Sequence, residues 1–330
     1  MTGPRLDISI ALGDNARTRP LIDGRVQADG VRLIPTVVHP SEMFWRQLHF
    51  GDFDVSEMSL SSLFIAAARG DRTWVALPVY TMRRFFHTLI MVRRGAGIER
   101  PGDLVGRRVG VPEYQQTSAI WARGALEDFY DVRARDLEWF MERGPDRSHG
   151  SATGFTPPEG VRLHQIPPEK DIGTMLADGE LDATLLYLNT QNLVDRARRG
   201  IDDVAEPLFR DRAAEERRYH SETGLFPINH ALVIRRSLFE RHPWLALNLF
   251  KAFDRARELV HATAAEWIDP FVATGLMPSP SVGPADDPMP YGFARARREI
   301  ETVAAYVHRQ GLADRQVAIE EVFAESCLGV

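Results

Sequence analysis

The chain has 330 residues, of which 44% are hydrophobic and 26% charged, and this composition is typical of a soluble globular protein rather than a disordered one. Its formal net charge of −6 leaves no basic excess to pair with phosphates, so a dedicated nucleic-acid-binding role is not expected. The length allows roughly two domains. The single cysteine, Cys327, excludes an internal disulfide framework.

Targeting and membrane signals are not found in the sequence. The stretch MTGPRLDISIALGD at 1–14 has no basic segment followed by an apolar core, as a secretory signal would. No segment approaches the ~20 apolar residues that a membrane-spanning helix needs. We therefore expect a cytoplasmic protein that does not associate with membranes.

Strand and helix patterns alternate along the first third of the chain. The polar loop 13–26 separates the first two strands. Period-two alternation, apolar runs and helix-ending glycines predict the following elements: strands at 6–12 and 31–38, a helix at 41–50, a strand at 54–58, a helix at 60–70 and a strand at 74–80.

A second series of strands and helices follows. The segment 143–160 interrupts it and the segment 277–292 follows it, and both are rich in Gly, Pro and charge, so we interpret them as exposed loops. The predicted elements are a strand ending at 111, a helix at 117–130, a strand at 161–166, a helix at 171–180, a strand at 183–188 and a helix at 237–260.

Two β-rich runs, RRFFHTLIMVRR at 83–94 and LFPINHALVIRR at 225–236, have the same pattern. Each has an aromatic residue, a histidine, an apolar stretch and a final Arg-Arg. We predict that these runs are strands that cross between two lobes. The first lobe would comprise 1–90 and 228–330, and the second lobe 91–227, with a cleft between them.

Several motifs resemble a known fold. GDLVGRRVGV at 102–111 and LADGELDATL at 176–185 are similar to segments of the type II periplasmic-binding-protein fold. This resemblance implies an α/β fold of two lobes, each a mixed sheet flanked by helices, with the ligand cleft between the lobes.

More specific motifs, found in order, are FDVSEMSLSS at 53–62, GRRVGVPEYQQTSAIWARG at 106–124, GLFPINHALVIRR at 224–236 and ERHPWLALNLFKAF at 240–253. Together they resemble the 4,5-dihydroxyphthalate decarboxylase family. The resemblance implies decarboxylation of a hydroxylated aromatic acid without a cofactor, most simply 4,5-dihydroxyphthalate to protocatechuate. The sequence departs from the family at 185–190, where LLYLNT replaces an expected arginine-containing segment. Tyr187 and Asn189 would then offer neutral hydrogen bonds to the substrate.

The turn between the strand ending at Val111 and the helix at 117–130 is the first candidate site. Ligands of open α/β sheets bind beyond the carboxyl ends of strands, and helix N-termini attract anions. We predict that this turn holds a substrate carboxylate through Tyr114, Gln115, Gln116 and Thr117. Glu113 beside such an anion would have a raised pKa and could donate a proton. The alternative is that Glu113 is a solvated turn residue.

The first lobe offers a similar turn. Glu57, Ser59, Ser61 and Ser62 lie where a strand passes into a helix, and more serines occur there than helix capping requires. In the loop 13–26, Arg17 and Arg19 could form paired hydrogen bonds with a carboxylate. The alternative for these arginines is a solvated loop in which they pair with Asp14 and Asp23.

His87 and His230 occupy matching positions in the two crossing runs, and we expect both at the floor of the cleft. Histidine is the usual acid–base group near neutral pH. The alternative for each is a hydrogen-bonded core residue.

The second functional hypothesis is a binding protein that holds a small aromatic or carboxylate ligand without chemistry. No HExxH or paired CxxC motif predicts a metal site, and no GxGxxG or GxxxxGK[ST] motif predicts a nucleotide. The partner expected on either hypothesis is a small-molecule aromatic carboxylate. Formation of a homo-oligomer is left open by the sequence.

Overall fold

The computed structural model describes residues 5–278, 287 and 289–330, so most of the predicted loop 277–292 lies outside the described residues. Eleven strands in the described ranges form two sheets. The strands are β1 Leu6–Leu12, β2 Val31–Val37, β3 Val55–Ser59, β4 Trp74–Leu77, β5 Met91–Arg93, β6 Arg108–Val111, β7 Glu138–Met141, β8 Arg162–Gln165, β9 Ala183–Thr184, β10 Ala205–Pro207 and β11 His230–Arg235.

Helices cover both sheets, and five short 3-10 turns connect elements within the described ranges. The α-helices are α1 Arg19–Ile22, α2 Pro40–Phe50, α3 Leu60–Ala68, α4 Thr117–Tyr130, α5 His149–Ala152, α6 Ile172–Ala177, α7 Arg212–Thr223, α8 Arg236–Arg241, α9 Trp244–Ala273 and α10 Phe293–Arg309. None of these helices is long and apolar enough to cross a membrane. The cytoplasmic location stays a prediction.

Both sheets are mixed. The first has the order β2-β1-β3-β11-β4, in which β1 is parallel to β2 and β3, while β11 is antiparallel to β3 and β4. The second has the order β10-β5-β9-β6-β7-β8, with parallel pairing from β9 to β8 and antiparallel pairing of β5. The predicted α/β class with two mixed sheets is confirmed. Strand β11, from the second half of the chain, lies between two strands from the first.

The chain passes between the sheets at two adjacent segments. The amide of Arg84 donates to the carbonyl of Pro227 at 3.0 Å, and the amide of Asn229 donates to the carbonyl of Met82 at 3.0 Å. The predicted continuous strand at 83–94 is wrong, because residues 86–89 form a 3-10 turn before β5. The lobe boundaries drawn from the sequence stay a prediction.

Local chemistry explains where the other predicted elements differ. The predicted helix 237–260 is two helices, because Pro243 disfavours helical backbone at His242, whose φ is −137° and ψ is 69°. The predicted strand 183–188 is only the two residues of β9. Helix α4 has the predicted bounds. It packs against α10 at Gly124, where a Cβ atom would collide with the ring of Tyr306.

Candidate active site

A cavity of about 220 Å³ lies where the connection from β3 to α3 meets the connection from β6 to α4. The hydroxyl of Ser59 lies 2.9 Å from that of Thr117, and the hydroxyl of Ser61 donates to the carbonyl of Gln115 at 2.7 Å. The cavity is lined by His39, Pro40, Ser41, Phe44, Ser59, Met82, Arg84, Phe86, Leu89, Gln116, Thr117, Ser118, Arg143, His149, Leu186, Leu188, Asn229 and His230.

The start of α4 can accept an anion. Gln116 is the N-cap residue, and its side chain makes no capping hydrogen bond. The first helical hydrogen bond from this turn is donated by Ile120 to the carbonyl of Gln116, so earlier N–H groups have no helical partner. The Nε2 group of Gln116 is buried and has no hydrogen-bond partner among the described residues. Unpaired donors beside a helix N-terminus are a site for a carboxylate.

The first histidine of the cavity is held by a carboxylate of the first sheet. His230 Nδ1 lies 3.1 Å from Glu57 Oε2, and both side chains are buried. Glu57 also accepts hydrogen bonds from the amide of Gly13 at 2.7 Å and from the hydroxyl of Thr81. The other ring nitrogen of His230 lies 2.8 Å from the Asn229 amide nitrogen. The pairing of β11 with β3 sets His230 opposite Ser59.

The second histidine, His149, belongs to the short helix α5 in the predicted loop 143–160. Its Nε2 atom contacts Glu113, and its Nδ1 atom lies 3.0 Å from the hydroxyl of Ser62. Glu113 also accepts hydrogen bonds from Ser148 and, at 2.9 Å, from Arg143. Glu113 therefore orients His149 as Glu57 orients His230.

The neighbours of Glu113 favour its ionised form. Complete burial would raise the pKa of Glu113, but His149, Arg143 and Ser148 outweigh burial and hold that pKa well below its ordinary value. The predicted raised pKa is wrong, because the neighbours of Glu113 are donors and a cation rather than a second anion. Glu113 is therefore not a proton donor near neutral pH.

The two histidines line the cavity from different elements, His230 from strand β11 and His149 from helix α5. The Phe44 ring lies edge-on to both imidazoles, with ring centroids 4.6 Å from His230 and 6.0 Å from His149. Apolar side chains form much of the remaining wall, namely Met82, Phe86, Leu89, Leu186 and Leu188. A flat ring between these walls would lie beside both imidazoles.

Two arginines line the cavity, and they differ in their pairing. Arg143 is buried and makes ion pairs with Asp195 at 2.6 Å and with Glu113 at 2.9 Å, so its charge is balanced. Arg84 is exposed and makes no ion pair with the described residues. Its guanidinium is thus available to an anionic ligand.

The predicted residues of the two turns divide into two groups. Ser59, Gln116, Thr117 and His230 line the cavity. Directly behind the lining residues, and hydrogen-bonded to them, lie Glu57, Ser61, Ser62 and Glu113. The backbone of Gln115 accepts a hydrogen bond from Ser61. Tyr114 is the exception in the second turn, because its ring is covered by the guanidinium of Arg123 at 3.8 Å.

Other predicted residues are not at the cavity. Arg19 is exposed and pairs with Asp14, as its alternative interpretation held. Arg17 pairs with Asp287 at 3.2 Å. His87 contacts Glu215 and does not reach the cleft floor, so the position expected for it is wrong.

Tyr187 and Asn189 belong to an extended segment but do not line the cavity. Tyr187 donates to the carbonyl of Arg199, and Asn189 is exposed, whereas Leu186 and Leu188 line the cavity. Successive side chains of extended backbone point in opposite directions, so a shift of one position exchanges the two sets.

The sequence analysis did not identify Arg84, Arg143 or His149 as site residues. The 143–160 segment gave no periodic signal, because α5 has only four residues. One signal could have identified His149: it follows Ser148 in a polar segment that comes after a strand and a loop. Within the described ranges, no group of three His, Cys, Asp or Glu side chains is arranged to hold a metal ion.

Solved structures with the same fold define the class first. The alkanesulfonate-binding protein SsuA from Xanthomonas axonopodis pv. citri matches with a TM-score of 0.56 and 12% identity, over 98% of this chain and 99% of that chain. The aliphatic sulphonate binding protein SsuA from Escherichia coli matches with a TM-score of 0.53 and 14% identity, over 97% and 92%. The desulfurization enzyme DSZB matches with a TM-score of 0.53 and 14% identity, over 98% of each chain. The chain therefore has the type II periplasmic-binding-protein fold.

Curated relatives then define the family. A 4,5-dihydroxyphthalate decarboxylase from Comamonas testosteroni is 35% identical over an alignment of 329 residues, and the match covers 98% of each chain. A 4,5-dihydroxyphthalate decarboxylase from Pseudomonas putida is 39% identical over 181 residues, which are 55% of this chain and 70% of the relative. No family model matches the chain. The chain belongs to the 4,5-dihydroxyphthalate decarboxylase family and is an enzyme of the carboxy-lyase class.

Proposed function

We propose that the chain converts 4,5-dihydroxyphthalate, or a close hydroxylated analogue, to 3,4-dihydroxybenzoate and CO2. The observation that carries this proposal is the cavity with two glutamate-held histidines, His149 and His230, beside the open start of α4. The identity of 35% to a relative of that name over nearly the whole chain supports the choice of substrate.

The size and walls of the cavity support an aromatic ligand. A cavity of roughly 150 Å³ is enough for benzene. A cavity of about 220 Å³ has room for one ring with small substituents. One carboxylate would accept hydrogen bonds from the N–H groups at the start of α4 and from Gln116.

The reaction needs one proton donor and one proton acceptor. A protonated imidazole gives its proton to the ring carbon that bears the leaving carboxylate, while a neutral imidazole takes the proton of the hydroxyl para to that carbon. The electron pair of the bond to the carboxylate then returns to the ring as CO2 leaves, and the phenol oxygen regains a proton. The net change is one proton taken up and one CO2 released. His149 and His230 are our candidates for the donor and the acceptor.

The apolar wall of the cavity favours conversion of the leaving carboxylate to CO2. A carboxylate is poorly stabilised beside Phe86, Leu186 and Leu188, whereas CO2 is neutral and loses little there. Glu57 and Glu113 would act through the histidines as positioning residues, since both lie behind the lining.

The test is turnover by the purified chain. We expect CO2 release from 4,5-dihydroxyphthalate together with a stoichiometric amount of 3,4-dihydroxybenzoate. Chromatography measures the 3,4-dihydroxybenzoate. The alternative of a binding protein is supported by the fold shared with the SsuA proteins. A rise in thermal midpoint with 4,5-dihydroxyphthalate but no CO2 would favour that alternative and exclude the decarboxylase proposal.

A further inference from the structure

Arg84 is the lining cation whose charge is not balanced by the described part of the chain. The neighbouring Arg83 provides a useful contrast: it is buried, pairs with Glu299 at 2.8 Å and donates to the carbonyl of Pro290. In this extended segment adjacent side chains point in opposite directions, so Arg83 ties the crossing segment to the core and Arg84 faces the cavity.

The backbone holds Arg84 in place. Its amide donates to the carbonyl of Pro227 at 3.0 Å, and the carbonyl of Met82, two residues earlier, accepts from the amide of Asn229. Arg84 therefore belongs to the paired crossing segments, and Asn229 from the second segment lines the same cavity. A side chain fixed at its base and unpaired at its tip can bind an anion with little rearrangement of the backbone.

We infer that Arg84 binds the second carboxylate of an aromatic ortho-dicarboxylate, the one that the product retains, and thereby selects dicarboxylates over monocarboxylates. This inference rests on the proposed function. The retained carboxylate keeps its charge throughout the reaction, so a full positive charge beside it stabilises substrate and transition state equally. Beside the leaving carboxylate, the same charge would stabilise the substrate more than the transition state and slow the loss of CO2.

The kinetic test uses Arg84→Met, which keeps the apolar stem, and Arg84→Lys, which keeps the charge. Arg84→Met should raise KM for 4,5-dihydroxyphthalate about 10- to 100-fold, as for a lost hydrogen bond to a charged group, with kcat changed less than about threefold. Arg84→Lys should recover part of the loss. The matched control is Arg100→Met, since Arg100 is highly exposed and lies outside the cavity.

Inhibition by two ligands tests whether Arg84 acts on the retained carboxylate. The product 3,4-dihydroxybenzoate keeps the carboxylate in question, so its inhibition constant should rise in Arg84→Met by the same factor as KM. Catechol has no carboxylate, and its inhibition constant should not change. Unchanged KM and unchanged product inhibition would overturn the inference. A fall in kcat without a change in KM would also overturn it, because Arg84 would then act on the transition state alone.

The inference can be judged even if the proposed function fails. If the wild-type chain binds 4,5-dihydroxyphthalate but releases no CO2, calorimetry of 4,5-dihydroxyphthalate and catechol replaces the kinetics. A loss of 4,5-dihydroxyphthalate affinity in Arg84→Met with catechol affinity retained supports the inference. Equal losses for both ligands, an unchanged affinity for 4,5-dihydroxyphthalate, or no binding of it by the wild type, overturn it.

Discussion

Two histidine–glutamate pairs of the molecule are alike in chemistry and differ in surroundings. His230 lies 3.1 Å from Glu57, His87 lies 3.1 Å from Glu215, and each histidine is 2% exposed. The ring of His230 nevertheless lines the cavity beside Phe44. Contact with a carboxylate is thus shared by both pairs, and access to the cavity separates them.

The surroundings of His87 indicate a structural role. Its ring lies against Tyr219, with centroids 4.8 Å apart, and Glu215 also accepts a hydrogen bond from Tyr130 at 2.6 Å. Tyr130 is the last residue of α4, and Glu215 belongs to α7. Burial would raise the pKa of Glu215, but hydrogen bonds from His87, Arg218 and Tyr130 lower it to about 2. This pair therefore joins α7 to α4 and to the crossing segment.

The largest expected effect concerns the histidines. His230→Gln and His149→Gln should each slow turnover of 4,5-dihydroxyphthalate by about 10²- to 10⁴-fold, because glutamine keeps hydrogen bonding and removes acid–base capacity. His87→Gln should slow turnover less than about threefold while lowering the thermal midpoint. Steady-state kinetics on the three variants measure the difference.

Turnover by the three variants shows whether a histidine must line the cavity to be catalytic or needs only a carboxylate partner. Each variant must first show a native circular dichroism spectrum. If turnover instead slows by about 10²-fold or more in His87→Gln while His149→Gln stays near wild type, the comparison is reversed. That result would support the acid–base role that the sequence predicted for His87.

A second expected effect is on the free energy of unfolding. It should be larger at the buried cluster around Glu113 than at the partly exposed cluster around Glu215. Arg143→Met leaves Glu113 and Asp195 buried without their cation, and breaking a buried ion pair typically costs about 3–5 kcal/mol. Arg218→Met removes a partly exposed partner of Glu215 and should cost about 1 kcal/mol or less. Urea unfolding of both variants gives the two free energies. Equal losses would show that the Glu113 cluster is not held by its buried charge.

The sequence predicted well those parts of the site that depend on local pattern. The bounds of α4 agree because a proline and a polar turn precede a clear helical pattern, and Asp131 ends the helix at a φ of 51°. Ser59 and Gln116 line the cavity, and Glu57 lies directly behind it, because parallel strands deliver their carboxyl ends to one edge of a sheet. These inferences need only the order of the elements.

Residues that depend on tertiary contacts could not be predicted in this way. His149 reaches the cavity because Glu113 and Ser62 hold a four-residue helix in place. The choice between Leu186 and Tyr187 depends on the register of a segment just beyond β9, which a single sequence does not specify. His87 and His230 have similar sequence contexts, and only the 3-10 turn at 86–89 separates their positions.

A third expected effect is the pH dependence of stability at the Glu113 cluster. The pKa of Glu113 is lowered in the folded state, so the unfolded chain takes up a proton first as the pH falls. The contribution of Glu113 is present above its ordinary value of 4.5 and declines below it, by at most about 1.4 kcal/mol per pH unit. Glu113→Gln should flatten the stability curve between about pH 4.5 and about pH 3. Parallel curves for the variant and the wild type would show that this carboxylate is not preferentially ionised in the folded state.

The smallest expected effect concerns Arg19, the peripheral counterpart of Arg84. Both arginines are exposed, but Arg19 is paired with Asp14 outside the cavity, where both side chains are about half exposed. An exposed ion pair contributes about 0–1 kcal/mol, because water and salt screen its charges. Arg19→Ala should therefore leave KM within about twofold of the wild type and change the free energy of unfolding by no more than that amount. Steady-state kinetics and urea unfolding measure both quantities. A tenfold rise in KM at low salt would mean that Arg19 reaches the substrate, and the division between cavity and periphery would then fail at this loop.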